Sequence, residues 1–286
     1  MIYLILSILF NAVLFVIIKL FAKFNIDALQ ALVVNYFVAF LVGLFFLTPK
    51  IIPIDILHEN WLIGSILLGF VFIGTFYATT LTSQRNGLSV ASVASKMSVI
   101  IPISVGVFVY NEELGFLKIT GILLALVAVY FTSKKETGKI QNGSNLLFPF
   151  LVFVGAGCID TSLKYLQTFY LPSNKIGLFS TLTFLFAFSV GILIIIFLLL
   201  KKNIKLAPKN IIGGIALGLP NYFSLYFLIK MLENKAFESA TLFTIHNISI
   251  VIISTVVGIL FFKEQISMRN GFGIILALIA LYFVTY

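Results

Sequence analysis

Residues 99–131, VIIPISVGVFVYNEELGFLKITGILLALVAVYF, return 152 positions later as VIISTVVGILFFKEQISMRNGFGIILALIALYF, with 14 of 33 positions identical and no gap. Earlier stretches align as well: Gly43 with Gly191, Gly64 with Gly213, Gly69 with Gly218 and Tyr77 with Tyr226. The duplication therefore covers nearly the whole chain, as a first copy over 1–138 and a second over 139–286. The polar stretch SKKETGKIQNGSN, 133–145, is the seam.

The solvent for this duplicated chain follows from its composition. With 60% apolar residues, 31 Phe, 10% charged residues and a mean hydropathy of +1.14, it lacks the polar side chains to cover a water-facing surface. A span needs roughly 20 mostly apolar residues to cross the hydrocarbon layer. Ten stretches qualify, near 2–22, 28–48, 61–83, 87–110, 115–133, 146–168, 174–200, 210–231, 238–262 and 266–286. Each copy holds five. An odd number forces the second copy to enter the bilayer upside down, the arrangement of many secondary transporters. The expected fold is an all-α polytopic membrane protein of ten transmembrane helices, built as two inverted five-helix repeats.

Other classes lose support on the same residues. Met1 to Leu20 has no basic stretch before it and no small-residue cleavage pattern after it, so it reads as a retained first span. Cys158 is the single cysteine, which rules out an internal disulfide and a thiolate metal site. A net charge of +9 sits mostly in short loops, where lipid headgroups account for it, and nucleic acid is not expected as a partner. His58 and His246 lie far apart, with no H-E-x-x-H and no nucleotide-binding motif, so neither an enzyme, a metal or other cofactor, nor direct ATP drive is expected. The expected partners are a small-molecule substrate and the lipid bilayer, with the chain a monomer or homodimer.

Ten spans in two copies, the fourth-span sequence SVASVASKMSVIIP with Pro102, Glu112 and Glu264 at matching turns, and the closing helices GILLALVAVY and GIILALIALY together resemble the drug/metabolite transporter superfamily, EamA-like branch. The resemblance spans the entire chain, departing at Ser254, where the first copy has Pro102. It implies a multi-pass carrier of the bacterial cytoplasmic membrane, working without ATP hydrolysis around a central cavity lined mainly by spans 1, 3, 4, 6, 8 and 9. It implies cytoplasmic termini too. The loop charges point the other way: odd-numbered loops, carrying Lys134, Lys135, Lys139, Lys201, Lys202, Lys205 and Lys209, hold about twice as many Lys and Arg as even ones, which the positive-inside rule would place in the cytoplasm.

The residues that could carry transport are the polar ones inside spans. Lys96 lies about nine residues into the fourth span, near mid-bilayer at a rise of ~1.5 Å per residue. A charge there costs about 2.5–3.5 kcal/mol, so an intramembrane Lys is a functional-site hypothesis by default. Ser89, Ser92 and Lys96 share a helix face, and Thr241, Thr244 and Asn247 align with Ser89, Ser92 and Ser95 in the second copy. Such hydroxyls, an amide and one ammonium suit a carboxylate or phosphate, or else the Lys titrates; its structural alternative is to snorkel or to pair with Asp160. Asp160 is the one acidic residue well inside a span and the first candidate for carrying a coupling proton, although its spacing to Lys164 also fits a structural i, i+4 pair. His246 is the second proton candidate, or a packing histidine. Tyr77 and Tyr226 are matched and could stack on substrate or anchor at the membrane interface. Asn221 follows Pro220, which is expected to interrupt the eighth span and free a carbonyl. Glu112 and Glu264 read as structural turns favoured by the dipole of the helix that follows each of them. The expected function is a secondary transporter of a small polar metabolite, an amino acid or related organic anion, exported by alternating access; the alternative is a lipid-linked sugar flippase of the same superfamily.

Overall fold

The computed structural model of the chain describes residues 2–46, 54–102, 104–105, 115–133, 146–201, 204–233 and 239–284. The seam at 134–145 and the turn carrying Glu112 lie outside them, as do Lys202 and the side chain of Thr244. In a lipid interior a backbone N–H or C=O has no water to bond, so an apolar chain of this length answers with helices that pair these groups internally. The described helices are α1 (Ile2–Lys23), α2 (Ala28–Phe46), α3 (Leu62–Arg85), α4 (Leu88–Met97), α5 (Phe116–Ser133), α6 (Leu147–Phe169), α7 (Ile176–Leu200), α8 (Pro208–Leu232), α9 (Ser239–Phe262) and α10 (Met268–Val284), with 3-10 turns at Ile54–His58 and Ser173–Lys175. No strand occurs among the described residues. Among the described residues, seven segments are long and apolar enough to cross a membrane: α1, α2, α3, α6, Ser173–Leu200, α8 and Ile245–Phe262. The apolar stretches Leu88–Pro102 and Met268–Phe283 are shorter.

The chain forms two compact units, and neither coincides with a sequence copy. One holds Met1–Tyr77 with Ser162–Asn234, the other Ala78–Thr161 with Lys235–Tyr286.

In the first unit α2 packs along α7 and α8, and α1 along α8. The approach is close because glycines remove the Cβ where backbones meet. A Cβ on Gly69 would lie 2.8 Å from the Ala187 backbone nitrogen, and one on Gly218 would lie 3.0 Å from the Asn35 carbonyl oxygen. That contact replaces the hydrophobic drive that lipid, as apolar as Leu, cannot supply. The starts of α2 and α8 are joined by a closed polar circuit. Asp27 caps α2 by accepting the Gln30 N–H at 2.9 Å, its own N–H donates to Asn210 Oδ1 at 2.9 Å, and Asn210 Nδ2 donates to Gln30 Oε1 at 2.8 Å. Gln30 Nε2 completes the circuit on the Lys205 carbonyl at 3.0 Å. The turn before α7 is tied to the segment before α3 by an ion pair of Lys175 with Glu59. Tyr36, fully buried, stacks on Phe184 at 6.1 Å.

Pro220 does not interrupt its span. Helix α8 runs unbroken from Pro208 through Pro220 to Leu232, because one missing N–H costs a helix only the bond to Ala216 when neighbouring helices hold the rest in place.

In the second unit α5 lies along α10, and α4 packs on α9 and α5. Arg269 lays its guanidinium over the Phe131 ring at 5.4 Å.

Two measurements on purified protein test this packing. Gly69→Ala should lower thermal stability by about 1–3 kcal/mol, because the new methyl meets backbone that cannot move aside, whereas Gly74→Ala on the same helix, with nothing within 4 Å of its Cβ position, should be neutral or slightly stabilising. Equal melting temperatures for the two variants would refute the close α3–α7 approach. The hydrogen bond from Lys175 holds the Glu59 carboxyl below its ordinary range. A carboxylate with a depressed pKa stabilises above its unfolded-state pKa, and that contribution disappears as pH falls through the folded-state value. The melting-temperature gap between the native chain and Glu59→Gln should therefore be present at pH 7 and close below about pH 4.

Candidate functional site

The second unit gathers most of the polar residues expected to act. Helix α4 is ten residues long, and both of its ends depart from ordinary helix geometry. At its start Gly87 has φ 116°, a backbone conformation suited to glycine, and carries no side chain to cap the first turn. The cap comes instead from Glu264, whose Oε1 accepts the Leu88 N–H at 2.7 Å and whose Oε2 lies 3.5 Å from the donating Ser89 hydroxyl. The glutamate at this turn thus serves the dipole of α4, from the other half of the sequence, and not that of the helix following it. Room for its carboxylate exists because residue 258 is glycine; a Cβ there would stand 2.8 Å from Glu264 Oε2.

At its other end α4 stops at Met97 and turns through Ser98 and Val99 before helical turns resume at 100–102. Pro102 explains the position of the break: its ring collides with the carbonyl of residue 98 and it offers no N–H to it. In α9 the aligned residue is Ser254, and that helix runs unbroken to Phe262. Ser254 does more than omit a proline. Its hydroxyl donates to Ser92 Oγ at 2.6 Å, and Ser92 in turn donates to the Ser89 carbonyl at 2.9 Å, joining α9 to the polar face of α4 in a buried chain of hydroxyls.

Lys96 occupies the last turn of α4, where the negative end of the helix favours a cation, and is half-buried. Two ionisable side chains lie within its electrostatic reach: Asp160 on α6 and His246 on α9. The charge acting on Asp160 is that of Lys96 across helices; the expected local pairing with Lys164 is not its main partner. His246 is buried, with Nδ1 3.3 Å from Asn247 Oδ1, and Asn247 Nδ2 is a buried donor with no partner among the described residues. Ser95 lies one residue before Lys96, half-exposed. Ammonium, carboxyl, imidazole and a spare amide donor are thus contributed to this unit by three helices.

The remaining expected residues fall in the first unit. Asn221 is buried and donates Nδ2 to Asn35 Oδ1 at 3.1 Å, leaving Asn221 Oδ1 and Asn35 Nδ2 without partners among the described residues. Tyr226 stacks on Tyr222 with ring centroids 6.0 Å apart, while Tyr77 is 38% exposed on α3. Asn35, Ser254 and Glu264 were not among the expected site residues. The available signals were an asparagine inside an apolar span, a serine replacing a repeated proline, and a glutamate repeated in register.

Residues 1–134, the first of the two sequence copies, match the EamA-like transporter family, a branch of the drug/metabolite transporter superfamily. An uncharacterized protein of Haemophilus influenzae is 28% identical over 290 residues, covering 99% of this chain and 97% of its own. A solved crystal structure superposes with a TM-score of 0.59 at 11% identity, covering 97% of this chain and 95% of its own, and so shares the fold.

The hydroxyl chain between α4 and α9 is open to a direct test. Ser254→Ala should cost roughly 0.5–1.5 kcal/mol of stability, the net worth of a buried hydrogen bond. A double-mutant cycle with Ser92→Ala should be non-additive; strict additivity in thermal unfolding would mean the two hydroxyls do not interact.

Proposed function

We propose that this chain is a secondary transporter that moves a small polar metabolite, an amino acid or related organic anion, out across a bacterial cytoplasmic membrane by alternating access. The observation that carries the reading is the ionisable group in the second unit: Asp160 and His246 each lie within electrostatic reach of Lys96, on apolar helices. Ionisable groups kept in such surroundings against their desolvation cost mark substrate and proton pathways. The break in α4 one residue beyond Lys96 adds support, since discontinuous helices are where transporter folds bind their cargo. In this reading all ten apolar stretches span the bilayer as two inverted repeats. Lys96 and Asn247 receive the anionic group of the substrate, helped by Ser92, Ser95 and Thr244. Asp160 and His246 exchange the coupling proton.

Proteoliposomes loaded with labelled amino acids and organic acids supply the test by counterflow. A solute carried by the native chain should no longer be carried by Lys96→Gln. The double variant Lys96→Gln, Asp160→Asn keeps the charge balance and so guards against a variant that merely unfolds; it should fold to within about 1 kcal/mol of the native chain yet remain inactive. Unchanged uptake by Lys96→Gln refutes the substrate role of Lys96. Passage of a lipid-linked sugar between leaflets without solute exchange would replace the metabolite reading by a flippase.

A further inference from the structure

We infer that Glu264 is a positioning residue for Lys96, acting through α4 from the opposite half of the sequence. This rests on the proposed function for its kinetic consequence only. Helix α4 is a short rod of about 15 Å, at 1.5 Å per residue. At its far end the regular helix yields at 98–99, where the Val99 N–H reaches the Lys96 carbonyl at 3.5 Å. Besides its apolar packing on α9 and α5, two polar ties hold the rod to the segment formed by α9 and the turn after it: the Ser254–Ser92 hydroxyl bond part-way along, and the Glu264 carboxylate on the Leu88 N–H at the start. Two separated polar points set the register and the tilt that apolar packing alone leaves adjustable. Glu264 is itself built in. Its N–H donates to the Gly258 carbonyl at 2.9 Å, Lys263 before it takes a left-handed φ of 51°, and both Gly87 and Gly258 present the bare backbone that its carboxylate packs against. The same α9 bears His246, and so the cap sets where the Lys96 ammonium stands relative to a group it acts on.

The test compares Glu264→Ala with Glu264→Gln, which keeps an acceptor oxygen, in lipid nanodiscs. Acetylation by sulfo-N-hydroxysuccinimide acetate, followed by mass spectrometry, reads the placement of Lys96 without any substrate. Glu264→Ala should change the Lys96 rate roughly fivefold or more, in line with the worth of a helix cap, Glu264→Gln should restore it to within about twofold, and Lys230 in the first unit should be unmoved in both. An unchanged Lys96 rate, or an equal change at Lys230, overturns the inference. In proteoliposomes, for a solute whose uptake Lys96→Gln abolishes, Glu264→Ala should raise KM severalfold with Vmax per folded transporter kept, and Gln should restore KM; loss of Vmax alone would reduce Glu264 to a stability cap. If the native chain carries no solute, the transport reading fails while the acetylation result still decides the role of Glu264.

Discussion

Hydrocarbon offers no hydrogen bonds, and everything particular about this protein sits where its helices fail to supply their own. Along α1, α2, α7 and the other long helices the backbone closes on itself and the side chains need only pack. Helix ends are different, since four N–H and four C=O groups are left over at each terminus. At the starts of α2 and α8 the circuit of Asp27, Gln30 and Asn210 takes up part of the excess. At the buried start of α4 the task falls to a carboxylate 176 residues away in sequence. The proline-induced break at the other end of the same helix leaves carbonyls in an apolar setting, and it is beside these that the lysine stands.

Charge in this setting is tolerable only in company. Lys96 has the C-terminal dipole of α4 and the carboxyl of Asp160 to offset it, and the neutral partners of His246 and Asn247 complete the surroundings. A balanced group of this kind gives up little when one opposite charge is exchanged for another. On the proposed function, a substrate carboxylate and Asp160 would compete for the same ammonium, which would link cargo binding to the protonation of an acid.

Much of the fold could be read from the chain alone, because hydropathy and helix length are local properties: the stretches expected at 28–48 and 174–200 became α2 over Ala28–Phe46 and α7 over Ile176–Leu200. What escaped was non-local. Pro102 was visible, yet the fourth stretch was read as one span to 110, whereas the helix yields four residues before the proline, at the carbonyl its ring displaces. Pro220 was read by the same rule and its helix stays whole, since the packing of α8 against α1 and α2 decides whether a missing bond becomes a break. Asp160 illustrates the limit for the site. The sequence offers Lys164 by the i, i+4 rule and Lys96 as a pairing across helices, and the folded chain brings the Lys96 charge to bear on it. Glu264 was recognised as structural, but a dipole argument knows only the nearest helix, and its partner at Leu88 has no signature in local sequence.

Each compact unit is completed by helices from both copies of the duplication: α2 is covered by α7 and α8, and α5 by α10. Each copy therefore finds much of its packing surface in the other. Because both copies lie in one chain, they need not be identical. Pro102 could remain in one while its counterpart became Ser254, and a lysine could settle at 96 opposite Ile248, asymmetries that no pair of identical subunits can encode.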